Sequence, residues 1–189
     1  MNEKAVHAMR EFLEALGLDL KALGMERTPE RVAEMYGLLF SGIGKDTREL
    51  WGETFDAGTG ADGIVAVKGI PFYSMCEHHL VPFFGEAGIA YLPAKHGVAG
   101  FSKFTRLVEV ISRRPQLQER MTAQIAEAVA RDLHAEGVLV VVEARQLCMM
   151  MRGDAAHGAR TTTNAVLGRL KEDAGLREQA MALLLDRKK

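Results

Sequence analysis

Val138-Leu139-Val140-Val141-Val142 is an unbroken apolar run, mostly β-branched, punctuated on its N-terminal side by Gly137. β-branched side chains are stiff and fit a pleated surface. A strand with no polar residue on either side is one buried on both faces, so this run predicts a central strand. Working outward, Ile64-Val65-Ala66-Val67 and Gly88-Ile89-Ala90-Tyr91-Leu92 read as two earlier strands, and Arg160 to Leu167, rich in Thr, as a later one. Two helical patterns lie between the second and third strands. Ser102 to Ser112 has Phe104, Leu107, Val108 and Ile111 on one face; Pro115 to His134 has Met121, Ile125, Val129 and Leu133 at heptad-like steps.

The N-terminal third reads helical. Val6, Met9, Leu13 and Leu16 recur at helical spacing. Thr28-Pro29 predicts a second helix, with Thr28 as N-cap and Pro29 at the first helical position. Val32, Met35 and Leu39 form its stripe, and Ser41-Gly42 ends it. Residues 44–62 read as a loop-rich connection, and Glu172 to Leu185 as a helical tail. The expected division is a helical region over residues 1–62 and a catalytic domain over 63–189. The element order predicts an α+β fold: an antiparallel four-stranded sheet with two helices on one face, plus N-terminal helices. Such a sheet has open edges and a second face to cover. A symmetric oligomer joined edge to edge answers both and places active sites between subunits.

Composition narrows the function. The chain has 189 residues, 48% hydrophobic, with a formal charge of −1. That balance argues against general nucleic-acid affinity. No apolar stretch approaches the length of a membrane span. Met1-Asn2-Glu3-Lys4 has no apolar signal region, and the expectation is a cytoplasmic protein bound to neither nucleic acid nor membrane.

The chain's two cysteines carry the chemistry. Cys76 opens Cys76-Glu77-His78-His79, and Cys148 lies far downstream. A thiolate and an imidazole three residues apart suit one metal ion, and Cys148 completes a three-ligand set. Three protein ligands leave a fourth tetrahedral position open, as in catalytic zinc sites. A disulfide or two inert core thiols are the competing readings.

The sequence resembles the GTP cyclohydrolase I family over about residues 25 to 168. The resemblance rests on Thr-Pro-Glu-Arg at 28–31, Ser-Met-Cys-Glu-His-His-Leu-Val-Pro-Phe at 74–83, Ala-Tyr-Leu-Pro at 90–93 and Gly-Phe-Ser-Lys-Phe-Thr-Arg at 100–106. It continues through Arg-Pro-Gln-Leu-Gln-Glu-Arg at 114–120, Cys-Met-Met-Met-Arg-Gly at 148–153 and the threonines at 161–163. It implies the tunnelling fold and, in many members, a decamer of two stacked five-subunit rings. It implies Zn2+ held by Cys76, His79 and Cys148. The implied reaction adds zinc-activated water to C8 of the guanine of GTP, opens the imidazole ring, releases formate and recloses the ribose carbons into 7,8-dihydroneopterin triphosphate.

Each matched residue has a chemical reason for its implied role. Glu119, with Gln118 beside it, matches the substrate-binding position: a carboxylate accepts from both N1–H and the 2-amino group of guanine, which excludes adenine. Lys103 and Arg106, three apart on one helix face, and Arg152 match the triphosphate-binding cations, with Arg31 contributed by a neighbouring subunit. Ser102 is expected to N-cap its helix and, by resemblance, to handle a proton at the ribose. His78 matches the general acid–base, since imidazole titrates near neutrality.

One departure bears directly on mechanism. The family pattern is His-x-Cys; here Gln146 stands two residues before Cys148. The family's histidine moves protons at the imidazole ring, and an amide carries no proton through a cycle. Ala159 and Asn164 replace serines, and His157 lies in a loop unlike the family's, where it is a candidate replacement imidazole. Three functions compete: the full GTP cyclohydrolase I reaction, a ring-opening enzyme that stops at a formamidopyrimidine or related nucleotide because of Gln146, and a non-catalytic nucleotide-binding paralogue.

Overall fold

The computed structural model describes residues 2–52, 55, 63–94, 98–151 and 158–185. The chain divides into two compact units, Met1–Ser41 and Gly42–Lys189.

The first unit pairs two helices, α1 (Glu3–Ala15) and α2 (Thr28–Leu39). Asn2 caps α1, its side chain accepting from the backbone of Lys4 and Ala5. At α2 the expected cap is displaced. Arg27 occupies the cap position without a side-chain bond, and Thr28 is already helical, its N–H donating to Met25 O at 2.9 Å. Pro29 still falls in the first turn, where its missing N–H costs nothing.

The second unit is built on one sheet. Strands β1 (Val65–Cys76), β2 (Pro82–Leu92), β3 (Pro115–Gln116), β4 (Gly137–Gln146) and β5 (Thr161–Gly168) lie in the order β3-β1-β2-β4-β5. The four long strands pair antiparallel; β3 is a two-residue parallel addition to the end of β1. Helices α3 (Ser102–Ser112) and α4 (Gln118–Asp132) cover one face. The expected helix start at Pro115 is corrected: Pro115 and Gln116 pair with Met75 and Cys76, and the helix begins only at Gln118.

β4 has the predicted double burial. Val138, Val140 and Val142 pack towards α3 and α4 with Tyr91, Phe104, Leu107, Met121, Ile125 and Val129. Leu139 and Val141 face the other way, against Ala90, Leu92 and residues of α6 (Arg169–Glu172) and α7 (Ala174–Leu185), among them Leu170, Ala180 and Leu184. The tail is therefore two helices, broken at Asp173, whose side chain accepts from Leu176 N. It shields part of the second face. Beyond the tail, that face includes a groove of about 420 Å³ lined by residues that include Phe84, Glu86, Glu143, Arg145 and Arg160.

β1 and β2 are much longer than the sequence suggested. The apolar run that predicts the first strand stops at Val67, yet β1 runs on through Gly69, Ile70 and Pro71. A register shift between Val67 and Ile70 absorbs Gly69, whose φ is +70°. Pro71 is tolerated because β3 pairs only with Met75 and Cys76, leaving that side of β1 open at Pro71.

A candidate metal and nucleotide site

The extension of β1 carries it directly into Cys76. The next five residues, Glu77 to Val81, make the connection, and β2 begins at Pro82. Cys76 N–H donates to Val81 O at 3.0 Å and Leu80 N–H to Cys76 O at 2.8 Å. Leu80 sits at φ 50°, a left-handed conformation uncommon outside glycine. Such geometry tends to collect where a fold holds reactive groups in place. The turn is tied to the neighbouring strand as well, Glu77 N–H donating to Gln116 O at 3.1 Å.

Cys148 arrives from the other side. It lies not in a strand but in α5 (Leu147–Met150), a single helical turn that starts where β4 stops. The ligand atoms of Cys76, His79 and Cys148 all fall within 4.8 Å of one another, and Cys76 Sγ is 3.9 Å from His79 Nδ1. Both cysteines are free, Cys76 buried and Cys148 half-buried. Burial first, and the adjacent Cys76 thiol second, push the Cys148 thiol up. Two thiols crowded against an imidazole at this separation make a donor set that fits a borderline-soft divalent cation, which would stabilise the thiolates that burial disfavours. The disulfide reading is set aside, since both thiols are free.

The first turn of α4 abuts both halves of this cluster. Arg120 grips Glu77 through two bonds, Nη1 to Oε2 at 2.5 Å and Nη2 to Oε1 at 2.9 Å. This contact pulls the Glu77 carboxyl below its usual range. On the other side, Gln146 Nε2 donates to Gln118 Oε1 at 2.7 Å. Glu119 stands between Gln118 and Arg120, exposed in the first turn of the helix. Its neighbours are thus bonded to the residue that follows one ligand and to the residue two before another.

The remaining predicted residues are placed as follows. His78 is exposed, its ring edge-on to His79 with centroids 6.1 Å apart. Ser102 begins α3 with an exposed side chain but does not cap it: Phe101 holds the cap position with helical φ and ψ, and Lys103 N–H donates to Gly100 O. Lys103 and Arg106 lie on α3, half-buried and exposed respectively. Arg31 is exposed on α2, within the other compact unit. Arg152 and His157 lie outside the described residues. Gln118 differs from a simple surface contact: it is 4% exposed and bonded on all sides. Sequence spacing gave no sign of the Glu77–Arg120 fork, whose only cue was a pair of opposite charges inside two separate motifs.

A Cys-His-Cys cluster at the end of an antiparallel sheet, with Cys76 buried and His79 exposed, flanked by a carboxylate-bearing helix turn, marks a metal-dependent class of α+β enzymes. The chain belongs to the GTP cyclohydrolase I family, whose model matches residues 5–185. GTP cyclohydrolase 1 of Streptococcus pyogenes is 50% identical over 182 residues, covering 96% of this chain and 93% of its own. Those of Desulforamulus reducens and Halalkalibacterium halodurans are 48% and 47% identical, each aligned over 96% of its length. Among solved structures, the archaeosine synthase QueF-Like in the apo form aligns with 56% of this chain at TM-score 0.47 and 20% identity. The four long strands with α3 and α4 on one face are the tunnelling fold expected of this family.

Proposed function

We propose that this protein is a GTP cyclohydrolase I, hydrolysing GTP at guanine C8 with imidazole ring opening, formate release and formation of 7,8-dihydroneopterin triphosphate. One observation carries the reading: Cys76, His79 and Cys148 converge within 4.8 Å beside the α4 turn that bears Glu119. The relatives that match nearly the whole chain support this activity over an arrested ring-opening enzyme or an inert paralogue.

Cys76, His79 and Cys148 would hold zinc, which supplies Lewis acidity and lowers the pKa of water at its open position. The chain's own residues supply the rest. Glu119 accepts from N1–H and the 2-amino group of guanine, fixing which face of the purine meets the metal. Lys103, Arg106 and Arg152 bind the triphosphate, with Arg31 of a second copy completing the set. Ser102, which does not cap its helix, exchanges a proton with the ribose. His78 takes and returns protons at the reacting base. Gln118 acts from behind, through Gln146.

The assembly is a homo-oligomer, a decamer, with sites shared between subunits, and the setting is cytoplasmic. No helix among the described residues is long and apolar enough to cross a membrane. The decisive experiment is mass-spectrometric product analysis after incubating the zinc-loaded protein with GTP. Dihydroneopterin triphosphate and one formate per turnover are expected; accumulation of a formyl-bearing ring-opened nucleotide, or no product, would refute the assignment.

A further inference from the structure

Gln118 and Gln146 form a side-chain pair whose direction the backbone dictates. Gln118 Nε2 lies 3.1 Å from Val142 O, 2.9 Å from Thr161 O and 3.2 Å from Thr163 Oγ1. Backbone carbonyls only accept, so the amide nitrogen of Gln118 must face them. Its Oε1 is thereby turned the other way, where it accepts from Gln146 Nε2 at 2.7 Å. Thr122 closes the back of the network, donating to Gln118 O at 2.7 Å and meeting Thr163 Oγ1 at 2.7 Å. Strand carbonyls orient Gln118, and Gln118 orients Gln146. Flipping the Gln146 amide would set oxygen against oxygen. Gln146 Oε1 is the end turned away from this network, and no described residue donates to it.

The location gives that oxygen a use. Gln146 ends β4, two residues before Cys148, and its side chain reaches the residue next to Glu119. A base read by Glu119 and reacting beside Cys148 passes Gln146.

We propose that Gln146 is a specificity-determining residue that offers the purine a fixed hydrogen-bond acceptor at its reacting end, and so favours nucleotides bearing hydrogen on the imidazole nitrogen N7. This rests on the proposed function. Guanine presents N7 as a lone pair, against which an acceptor gains nothing. Water added across the C8=N7 bond leaves a hydroxyl on C8 and a hydrogen on N7, and that new N–H can be accepted. The contact exists only after addition, the condition under which binding energy lowers a barrier. A neutral imidazole here would have the same polarity, an N–H towards Gln118 and a lone pair towards the base. Glutamine keeps the polarity and gives up only the exchangeable proton.

Two guanine nucleotides that resist ring opening separate the possibilities. 8-oxo-GTP carries hydrogen on N7 and lacks the C8=N7 double bond; 7-deaza-GTP has carbon in place of N7. Calorimetric titration of the zinc-loaded protein with each yields an affinity ratio. Gln146→Met should shrink the preference for 8-oxo-GTP about three- to tenfold, the range of one neutral hydrogen bond. Gln146→His, measured above neutral pH, should keep the ratio within about twofold of the natural protein's, because it preserves both hydrogen-bond directions. An unchanged ratio in Gln146→Met, or an equal fall in both variants, overturns the proposal. Failure of the proposed function would show separately, as an absence of pterin when the natural protein is given GTP.

Discussion

Arg120 and Glu77 are joined by a two-armed guanidinium–carboxylate contact, and each is the immediate chain neighbour of a residue assigned to chemistry: Glu77 follows Cys76, and Arg120 follows Glu119. The pair fixes the turn after Cys76 against the first turn of α4. Because both side chains are partly exposed, its worth to global stability is small. Its value is geometric. Arg120→Lys keeps the charge but cannot make two parallel bonds. The expected result is a nearly unchanged melting temperature, a raised KM for GTP and faster zinc loss to a chelator. Normal zinc retention and normal KM in Arg120→Lys would show that charge alone suffices.

Metal content tests the ligand set directly. The purified protein should carry about one zinc per subunit, since three protein ligands and an open position satisfy tetrahedral zinc. Cys148→Ser should lose metal and activity together. Stoichiometric zinc in that variant, measured by elemental analysis, would remove Cys148 from the set.

Base selection is assigned to Glu119. Glu119→Gln turns one acceptor into a donor facing the guanine N–H groups, a mismatch worth about 2–4 kcal/mol in kcat/KM. Steady-state kinetics with GTP decide this, and an unaltered kcat/KM would place Glu119 outside the site.

A fourth expectation concerns the sheet. A Cβ built on Gly85 would lie 1.9 Å from Glu143 O and 2.7 Å from Ala144 Cα, both backbone atoms of the paired strand. No side-chain movement relieves that. Gly85→Ala should cost about 1–3 kcal/mol, the usual penalty of overpacking, and thermal or urea unfolding should reveal it. Unfolding indistinguishable from the natural protein would mean that β2 and β4 separate locally at no cost.

The parts of this fold that were legible in the sequence are those where burial dictates composition. β4 was readable because both of its faces are covered, so every residue from Val138 to Val142 had to be apolar. α3 was readable because its buried stripe repeats at 3.6 residues. The reach of β1 through Gly69 and Pro71 was hidden, since a bulge and an open edge excuse residues that otherwise signal a turn. Pro115–Gln116 was hidden because two residues carry no period. In the site, Cys76, His79 and Cys148 were legible as a chemical set. The double bracing of α4 was not, because Glu77 with Arg120 and Gln118 with Gln146 are contacts between distant segments.

The candidate ligand cluster takes Cys76 from the end of β1, His79 from the connection after it and Cys148 from the turn after β4, with β2, α3, β3, α4 and β4 intervening in the chain. A growing polypeptide therefore cannot assemble the cluster until nearly the whole sheet has been synthesised. An ion bound there could not serve as an early nucleus; it would act as a late clasp, closing a structure that the apolar core draws together first.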